Sequence, residues 1–197
     1  MPGFESSSAV PSSIVRSSAV RDAVLRRRSR GKVSDEAPTH EELLELVAAA
    51  ATVADHSGLQ PWRLIELRGQ ARERVGRAIA TAGGAEGEAA DKLALKPLRA
   101  PLLIAVVVSP RESRKVAEWE QEAVASGVAH LLSLLLNEAG WGVLWRTGIW
   151  TRSDAVHRAH ELQPGEKLLG WLYVGRPTDD EPKPRKPIDA SQFVSVL

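Results

Sequence analysis

The segment Pro101-Leu-Leu-Ile-Ala-Val-Val-Val108 decides the fold. It is a continuous apolar run of strand length, and most of its side chains are branched. Such a run is typical of a strand that is covered on both faces, because both sides of its pleat are apolar. The sequence therefore predicts that residues 101–108 form the central, doubly covered strand of a sheet.

The next segment, Lys115 to Gly140, predicts the longest helix of the chain. Its second part, from Val128 to Leu136, is apolar on almost every side and therefore needs cover all round. The chain's own sheet or a second copy of the chain could supply that cover. Ser126, Gly127 and Ala129 are small enough to admit another helix at close range, which favours a symmetric dimer.

The rest of the chain alternates between helical and strand patterns within one domain. Hydrophobic periodicity, caps and turn residues predict helices from 19 into the arginine cluster at 26, from 40 to about 53, and at 71–82, 86–95 and 153–161, with strands at 62–67, 142–146 and 167–174. Residues 1–17 are expected to be a flexible extension, and 18–197 a single domain. Its tail, 178–197, ends in an apolar segment that we expect to dock on its own body or on a partner subunit.

Composition excludes several classes of function. The chain has no cysteine, which removes disulfides, thiolate metal sites and cysteine nucleophiles. Its five histidines form no metal-ligand pattern, and we interpret His157 and His160 as an exposed polar face rather than a metal pair. No apolar run is long enough to span a bilayer and no secretory signal is evident, so we expect a cytoplasmic protein that does not bind membranes.

Three separate polar clusters are candidates for a functional site. The first is the basic run Arg26 to Lys32, which fits a solvated charge run, a nucleic-acid patch or a clamp for a phosphate. The second is the loop from His56 to Trp62. The third is Trp145 to Gly148, within a ten-residue stretch that holds three of the six tryptophans and could be either core or the wall of a ligand site.

No dinucleotide-binding loop, phosphate-binding loop or nucleophile elbow occurs, but six short motifs do. They are Arg27-Arg28-Ser29, Asp55-His56 with Gln60-Pro61-Trp62, Arg99-Ala-Pro-Leu102, Trp119-Glu-Gln-Glu122, Trp145-Arg-Thr-Gly148, and Val174-Gly-Arg-Pro177. In this order they resemble the nitroreductase family of FMN enzymes, most closely its short, single-domain bacterial NAD(P)H members. The resemblance covers the chain from about Ser18 to its C-terminus.

The resemblance implies an α+β protein built as a three-layer α/β/α sandwich. Its sheet would be mixed but mainly antiparallel, and its long central helix would lie at a homodimer interface with shared flavin sites. The implied reaction passes reducing equivalents from NADH or NADPH to a small nitroaromatic, quinone or similar acceptor by a ping-pong mechanism. FMN carries that chemistry, so no side chain is expected to be catalytic and no metal is expected.

Two groups of residues correspond to the family's binding positions for the phosphate and the flavin ring. Arg27, Arg28 and Ser29 match the segment that binds the FMN phosphate and the polar edge of the flavin, and Arg185, beside Lys183, matches a basic pair that holds the phosphate. The flavin loop comprises Trp145, Arg146, Thr147 and Gly148, whose backbone amides near 147 and 148 are expected close to N5. Thr147 stands where a serine is usual.

A third group corresponds to positions that reach the flavin from elsewhere. Thr52 and His56 match positions that contact the flavin bound mainly by the other subunit, and Gln60 matches a polar residue beside the isoalloxazine. Thr52 stands where an arginine is usual, so one positive charge is missing at that contact.

Two alternatives remain open on the sequence. One keeps the fold but replaces the turnover with flavin binding or sequestration, or with specialised flavin chemistry such as reductive dehalogenation. The other is a nucleic-acid-binding module that uses Arg26 to Lys32, although our main interpretation predicts no nucleic-acid partner.

Overall fold

The structure is a computed structural model that describes residues 18–178 and 186–197. The helices are α1 (Ala19–Arg26), α2 (His40–Ala50), α3 (Gln70–Ala82), α4 (Gly87–Ala94), α5 (Glu118–Glu138) and α6 (Asp154–Ala159). The strands are β1 (Trp62–Leu67), β2 (Leu102–Val108), β3 (Gly142–Arg146) and β4 (Lys167–Gly175), and short 3-10 turns lie at His56–Gly58, Lys96–Arg99, Ile149–Arg152 and Ala190–Gln192.

The four strands form one sheet in the order β1-β2-β4-β3, and each neighbouring pair is antiparallel. Strand β2 lies inside the sheet and every one of its residues is buried, which confirms the prediction made from its composition. A parallel contact also occurs, as an isolated bridge between Ser29 and Val143. The four-stranded sheet is therefore antiparallel, and the mixed character that the resemblance implied is limited among the described residues to this isolated bridge.

Helices cover both faces of the sheet. On one face, α2 and α5 pack against alternate residues of the strands, including Ile104, Val143 and Leu172. On the other face, α3 and α6 pack against the intervening residues, including Leu103 and Trp171. The result is a three-layer α/β/α arrangement of the α+β class, and it confirms the predicted fold.

The small residues of α5 serve the chain's own packing more than we predicted. A Cβ added to Gly127 would lie only 2.6 Å from Cγ2 of Val53, and Ala129 is fully buried in the core beside the sheet. Of the three residues that suggested a close helix partner, Ser126 alone lies toward the outer side. Gly127 and Ala129 therefore do not admit the second helix that their size had predicted, because intrachain neighbours already occupy the space beside them.

Two predictions about burial were wrong, and several predictions about the chain ends are not tested by the structure. Helical periodicity predicts that Leu44 lies on the apolar face of α2, but Leu44 is 53% exposed, and His160, predicted on an exposed polar face, is 2% exposed. The described part of the tail, 186–197, is exposed throughout, and its docking on its own body or on a partner subunit stays a prediction. The predicted N-terminal extension and the basic pair Lys183 and Arg185 lie outside the described residues.

Two features are absent from the described residues. No helix in the described part of the chain is both long and apolar enough to cross a membrane. Within 18–178 and 186–197, no cluster of three or more His, Asp or Glu side chains is arranged to hold a metal ion.

Candidate functional site

A recess forms where the segment after α1 runs beside β3. The bridge between Ser29 and Val143 and the hydrogen bond from the Arg30 amide to the Val143 carbonyl oxygen (2.9 Å) attach this segment to the sheet edge. The recess has a volume of about 230 Å³. Its lining comprises Arg27, Ser29, His130, Ser133, Val143 and Trp145.

Trp145 forms the aromatic wall of this recess. The imidazole of His130, on α5, meets its ring edge-on, with ring centroids 4.9 Å apart and an interplanar angle of 77°. The indole N–H of Trp145 is buried without a hydrogen-bond partner. Sequence reasoning had missed His130, although a lone histidine within the apolar half of α5 was a usable signal.

The two adjacent arginines of the predicted phosphate segment diverge. Arg27 lines the recess beside Trp145. The guanidinium of Arg28 instead donates to the carbonyl oxygens of Leu25 (2.5 Å) and Arg27 (3.0 Å), which closes the C-terminal end of α1. The structure therefore brings Arg27, Ser29 and Trp145 together but directs Arg28 toward a neighbouring recess, which it lines with Arg30.

The flavin loop divides between the two faces of the sheet. Arg146 pairs with Trp171 of β4, and its side chain points to the face opposite Trp145, because successive side chains of a strand alternate. Its guanidinium lies 5.2 Å from the centroid of the Tyr173 ring. Thr147 and Gly148 follow the end of β3 and are exposed, so their backbone amides have left the ladder, as predicted.

Gly170, which was not predicted as a site residue, fixes the position of this loop. It has a φ of 150° beside a register shift of β4 against β2. A Cβ at this position would lie 2.3 Å from the carbonyl oxygen of Arg146 and 2.9 Å from Nε1 of Trp145. A glycine inside a strand often marks such a close approach of backbone, and that was the available signal.

The second predicted cluster is built around the turn at His56. Asp55 accepts a hydrogen bond from the Gln60 amide (2.7 Å), and Gln60 adopts a φ of 48°. His56 Nδ1 lies 3.0 Å from Oε2 of Glu120, whose other oxygen accepts from the Ala117 amide at the start of α5 (3.0 Å). These two hydrogen bonds, that from His56 first, lower the pKa of the Glu120 carboxyl.

Thr52 lies near this cluster but is used locally. Its hydroxyl donates to the carbonyl oxygen of Ala49 (2.9 Å), and the residue is exposed.

One chain does not bring the two clusters together. On α5, Glu120 contacts the His56 cluster and His130 lines the recess of Arg27 and Trp145. Ten residues of α-helix separate Glu120 from His130, a distance of about 15 Å. Thr52, His56 and Gln60 therefore lie on a surface distinct from that of Arg27, Ser29 and Trp145. The site that the resemblance implies would have to be completed by a second subunit.

The donors around the recess suit a planar ligand that carries a phosphate. A guanidinium and a hydroxyl are suited to phosphate oxygens, and Trp145 offers an aromatic surface with an unused N–H beside it. The residues therefore fit FMN, which the resemblance implied. Fold and recess together define the class: an α+β protein with a site for a phosphorylated aromatic ligand at the edge of its sheet.

Comparison with known proteins identifies the family within that class. The model of the Nitroreductase family matches residues 24–176, and the chain belongs to that family. Over 159 residues the chain is 35% identical to "Putative NAD(P)H nitroreductase YdjA" of Escherichia coli strain K12, an alignment that covers 79% of this chain and 87% of the relative.

Two solved structures share the fold at lower sequence identity. The FMN and NADPH-dependent nitroreductase NfnB from Sphigopyxis sp. strain HMH has a TM-score of 0.70 and 17% identity, and covers 91% of this chain and 99% of its own. Oxidized iodotyrosine deiodinase bound to FMN and 3-iodo-L-tyrosine has a TM-score of 0.65 and 22% identity, and covers 86% and 96%.

Proposed function

We propose that this protein is an FMN-dependent oxidoreductase that passes reducing equivalents from NADH or NADPH to a small acceptor, such as a nitroaromatic or a quinone. The observation that carries the proposal is the recess at the edge of β3, where Arg27 and Ser29 lie beside Trp145 in a chain of the nitroreductase family. The names of the E. coli relative and of NfnB support both the cofactor and the electron donor.

In this proposal the protein binds and orients while FMN supplies the redox chemistry. Arg27 and Ser29 hold the phosphate through charge-assisted and hydroxyl hydrogen bonds. The amides of Thr147 and Gly148, free of the ladder, stabilise negative charge on the reduced ring. No side-chain nucleophile is needed, and a ping-pong order follows if donor and acceptor use the same slot in turn.

The protein acts as a homodimer with two shared sites. The outer side of α5 carries the exposed Trp119, Ala123 and His130, and Ser126 lies near the middle of this stripe. If two copies cross in antiparallel fashion at Ser126, the Glu120 end of one α5 lies beside the His130 end of the other. That arrangement brings the partner's His56 to the recess, which one chain alone leaves incomplete.

The first test is an absorption spectrum of the purified protein, which should show flavin bands or acquire them when FMN is added. Charge-assisted hydrogen bonds contribute about 1.5–3 kcal/mol, so Arg27→Ala should weaken FMN binding by about tenfold or more. Arg21→Ala, on the exposed side of α1, is the matched control. Protein that stays colourless with FMN, or equal losses in the two variants, would refute the proposal.

Turnover and assembly are tested separately. Parallel double-reciprocal plots for NAD(P)H and a quinone are expected for a ping-pong order, and intersecting lines contradict it. Light scattering should give a dimer, and Ser126→Arg should shift it to monomer with loss of FMN. A wild-type monomer that binds FMN fully contradicts the shared site.

The second candidate function is reductive dehalogenation, and the similarity in fold to iodotyrosine deiodinase supports it. A rapid-mixing experiment separates the candidates. NADH or NADPH should bleach the bound flavin, and reoxidation of the reduced flavin by a halogenated phenol without oxygen would favour dehalogenation, whereas reoxidation only by a quinone or nitroaromatic would favour the first proposal. Bleaching that fails with both donors would favour a flavin-binding protein without turnover.

A further inference from the structure

A second cavity lies on the face of the sheet opposite the recess of Arg27 and Trp145. It has a volume of about 170 Å³ and is bounded by Ile79 of α3 and by the loop after β3. Its aromatic walls are Trp150, Trp171 and Tyr173. We call it the aromatic cavity.

Among the described residues, the lining of the aromatic cavity carries positive charge and no acidic side chain. Lys96 and Arg146 line it, and Arg99 lies close enough for its charge to act on Tyr173. None of these three cations forms an ion pair with a carboxylate anywhere in the described parts of the chain. Burial raises the pKa of Tyr173, so its hydroxyl stays protonated at neutral pH and is available as a donor.

The Nε of Arg146 lacks a hydrogen-bond acceptor within the described part of the protein. This nitrogen is buried and has no hydrogen-bond partner, whereas buried polar groups are almost always paired. A ligand carboxylate that accepts from the terminal nitrogens of Arg146 would give the guanidinium an acceptor that the described protein atoms do not supply to its Nε, and the ammonium group of Lys96 is available to share the same anion. Carboxylate geometry suits a guanidinium particularly well.

Size and walls restrict the ligand further. Pockets for drug-sized ligands begin at about 300 Å³, so a cavity of about 170 Å³ that one chain forms by itself takes a single ring. The recess proposed for FMN, about 230 Å³ in one chain, differs because a second subunit would extend it. Aromatic walls prefer a flat partner in stacked or edge-on contact. A planar ring with one carboxylate satisfies the walls, the volume and the charge together.

We propose that the aromatic cavity binds a small monocyclic aromatic carboxylate, held between Lys96 and Arg146. The site is separate from the recess proposed for FMN, because the two lie on opposite faces of the sheet. Its occupation therefore does not depend on the proposed function.

Calorimetric titration of the full-length protein, as purified, with sodium benzoate tests this proposal. We expect saturable one-to-one binding, no binding of the neutral analogue benzamide, and quenching of the fluorescence of Trp150 or Trp171. Lys96→Gln should weaken benzoate binding by about tenfold or more, as expected for loss of a charge-assisted contact. Lys96→Arg should restore it to within a few-fold.

The control variant is Lys92→Gln, one helical turn earlier on α4, where Lys92 is exposed and pairs with Glu88 (2.7 Å). Its benzoate affinity should equal that of the wild type. No binding, equal binding of benzamide, or equal affinity of Lys96→Gln and wild type would overturn the proposal. So would benzoate binding that shifts the visible flavin bands but is insensitive to Lys96→Gln, because that result places benzoate at the flavin.

Discussion

Acid should destabilise this protein through one buried histidine, His160. Its Nδ1 donates to the Val156 carbonyl oxygen (2.7 Å) and its Nε2 accepts from the indole N–H of Trp171 (2.8 Å). The contact with Trp171 requires the neutral ring, because Nε2 can accept only when it carries no proton, and burial, first among the causes, lowers the pKa of His160 from its ordinary 6.5. The folded protein therefore resists a proton that the unfolded chain accepts.

The sign and size of the effect follow from this difference. The His160 contribution is fully present above the unfolded pKa of about 6.5, and it is lost as pH falls below that value until the folded pKa is reached. Within that window the free energy of unfolding should fall by up to about 1.4 kcal/mol per pH unit. Four carboxyls have a lowered pKa, those of Glu66, Glu120, Glu166 and Asp189. Their contributions change below their ordinary pKa values of 4.5 and 3.8 and so affect the slope little between pH 5.5 and 7.5.

Urea unfolding between pH 5.5 and 7.5, at one FMN concentration, measures the slope. His160→Leu should remove most of it, while at pH 7.5 the variant should lose about 1–3 kcal/mol because the Trp171 N–H is left unpaired. The gap between variant and wild type should therefore narrow as pH falls. His157→Leu, three residues earlier and partly exposed, is the control. A slope that survives in His160→Leu would refute the reasoning.

Three other substitutions test the packing and the ion pairs. Gly170→Ala should lower the free energy of unfolding by at least about 2 kcal/mol, since its Cβ would meet the β3 backbone. It should also weaken FMN binding, and an unchanged urea midpoint would contradict this reasoning. Gly127→Ala should lower the free energy of unfolding by about 1 kcal/mol. The double variant with Val53→Ala should recover part of that loss, whereas additive losses of the two single variants would show that the two residues are not in contact. Arg63→Met removes a two-point contact with Glu166 (2.7 and 2.6 Å) and should cost about 1–3 kcal/mol at pH 7. Because Arg63 lowers the Glu166 pKa, this cost should vanish as pH falls below that pKa; a constant cost down to pH 3 would argue against the pair.

Local patterns predicted the helices and strands well, because the spacing of apolar residues in each element reflects which of its faces is buried. The bounds of β1 and β3 agree with the prediction, and Thr39 and Glu42 form the expected capping box. Burial of His160 could not be predicted this way, because it depends on a partner eleven residues away in another element. Nor could the path of Arg28, whose long side chain can reach either a ligand or the carbonyls of α1.

The same limit explains how much of the candidate site was predictable. Motifs placed Arg27, Ser29 and Trp145 in one site, and the structure brings these three together. His130 was missed because its role depends on which side of α5 faces β3. Contacts of Thr52, His56 and Gln60 with FMN stay a prediction, since they require a second chain.

The stretch from Trp145 to Arg146 connects the two sites proposed for this protein. Alternation along β3 directs Trp145 into the recess beside Ser29 and Arg146 into the aromatic cavity. The next two amides, of Thr147 and Gly148, are those proposed to stabilise the reduced flavin. A carboxylate that held the Arg146 side chain would restrain the backbone on which these amides depend.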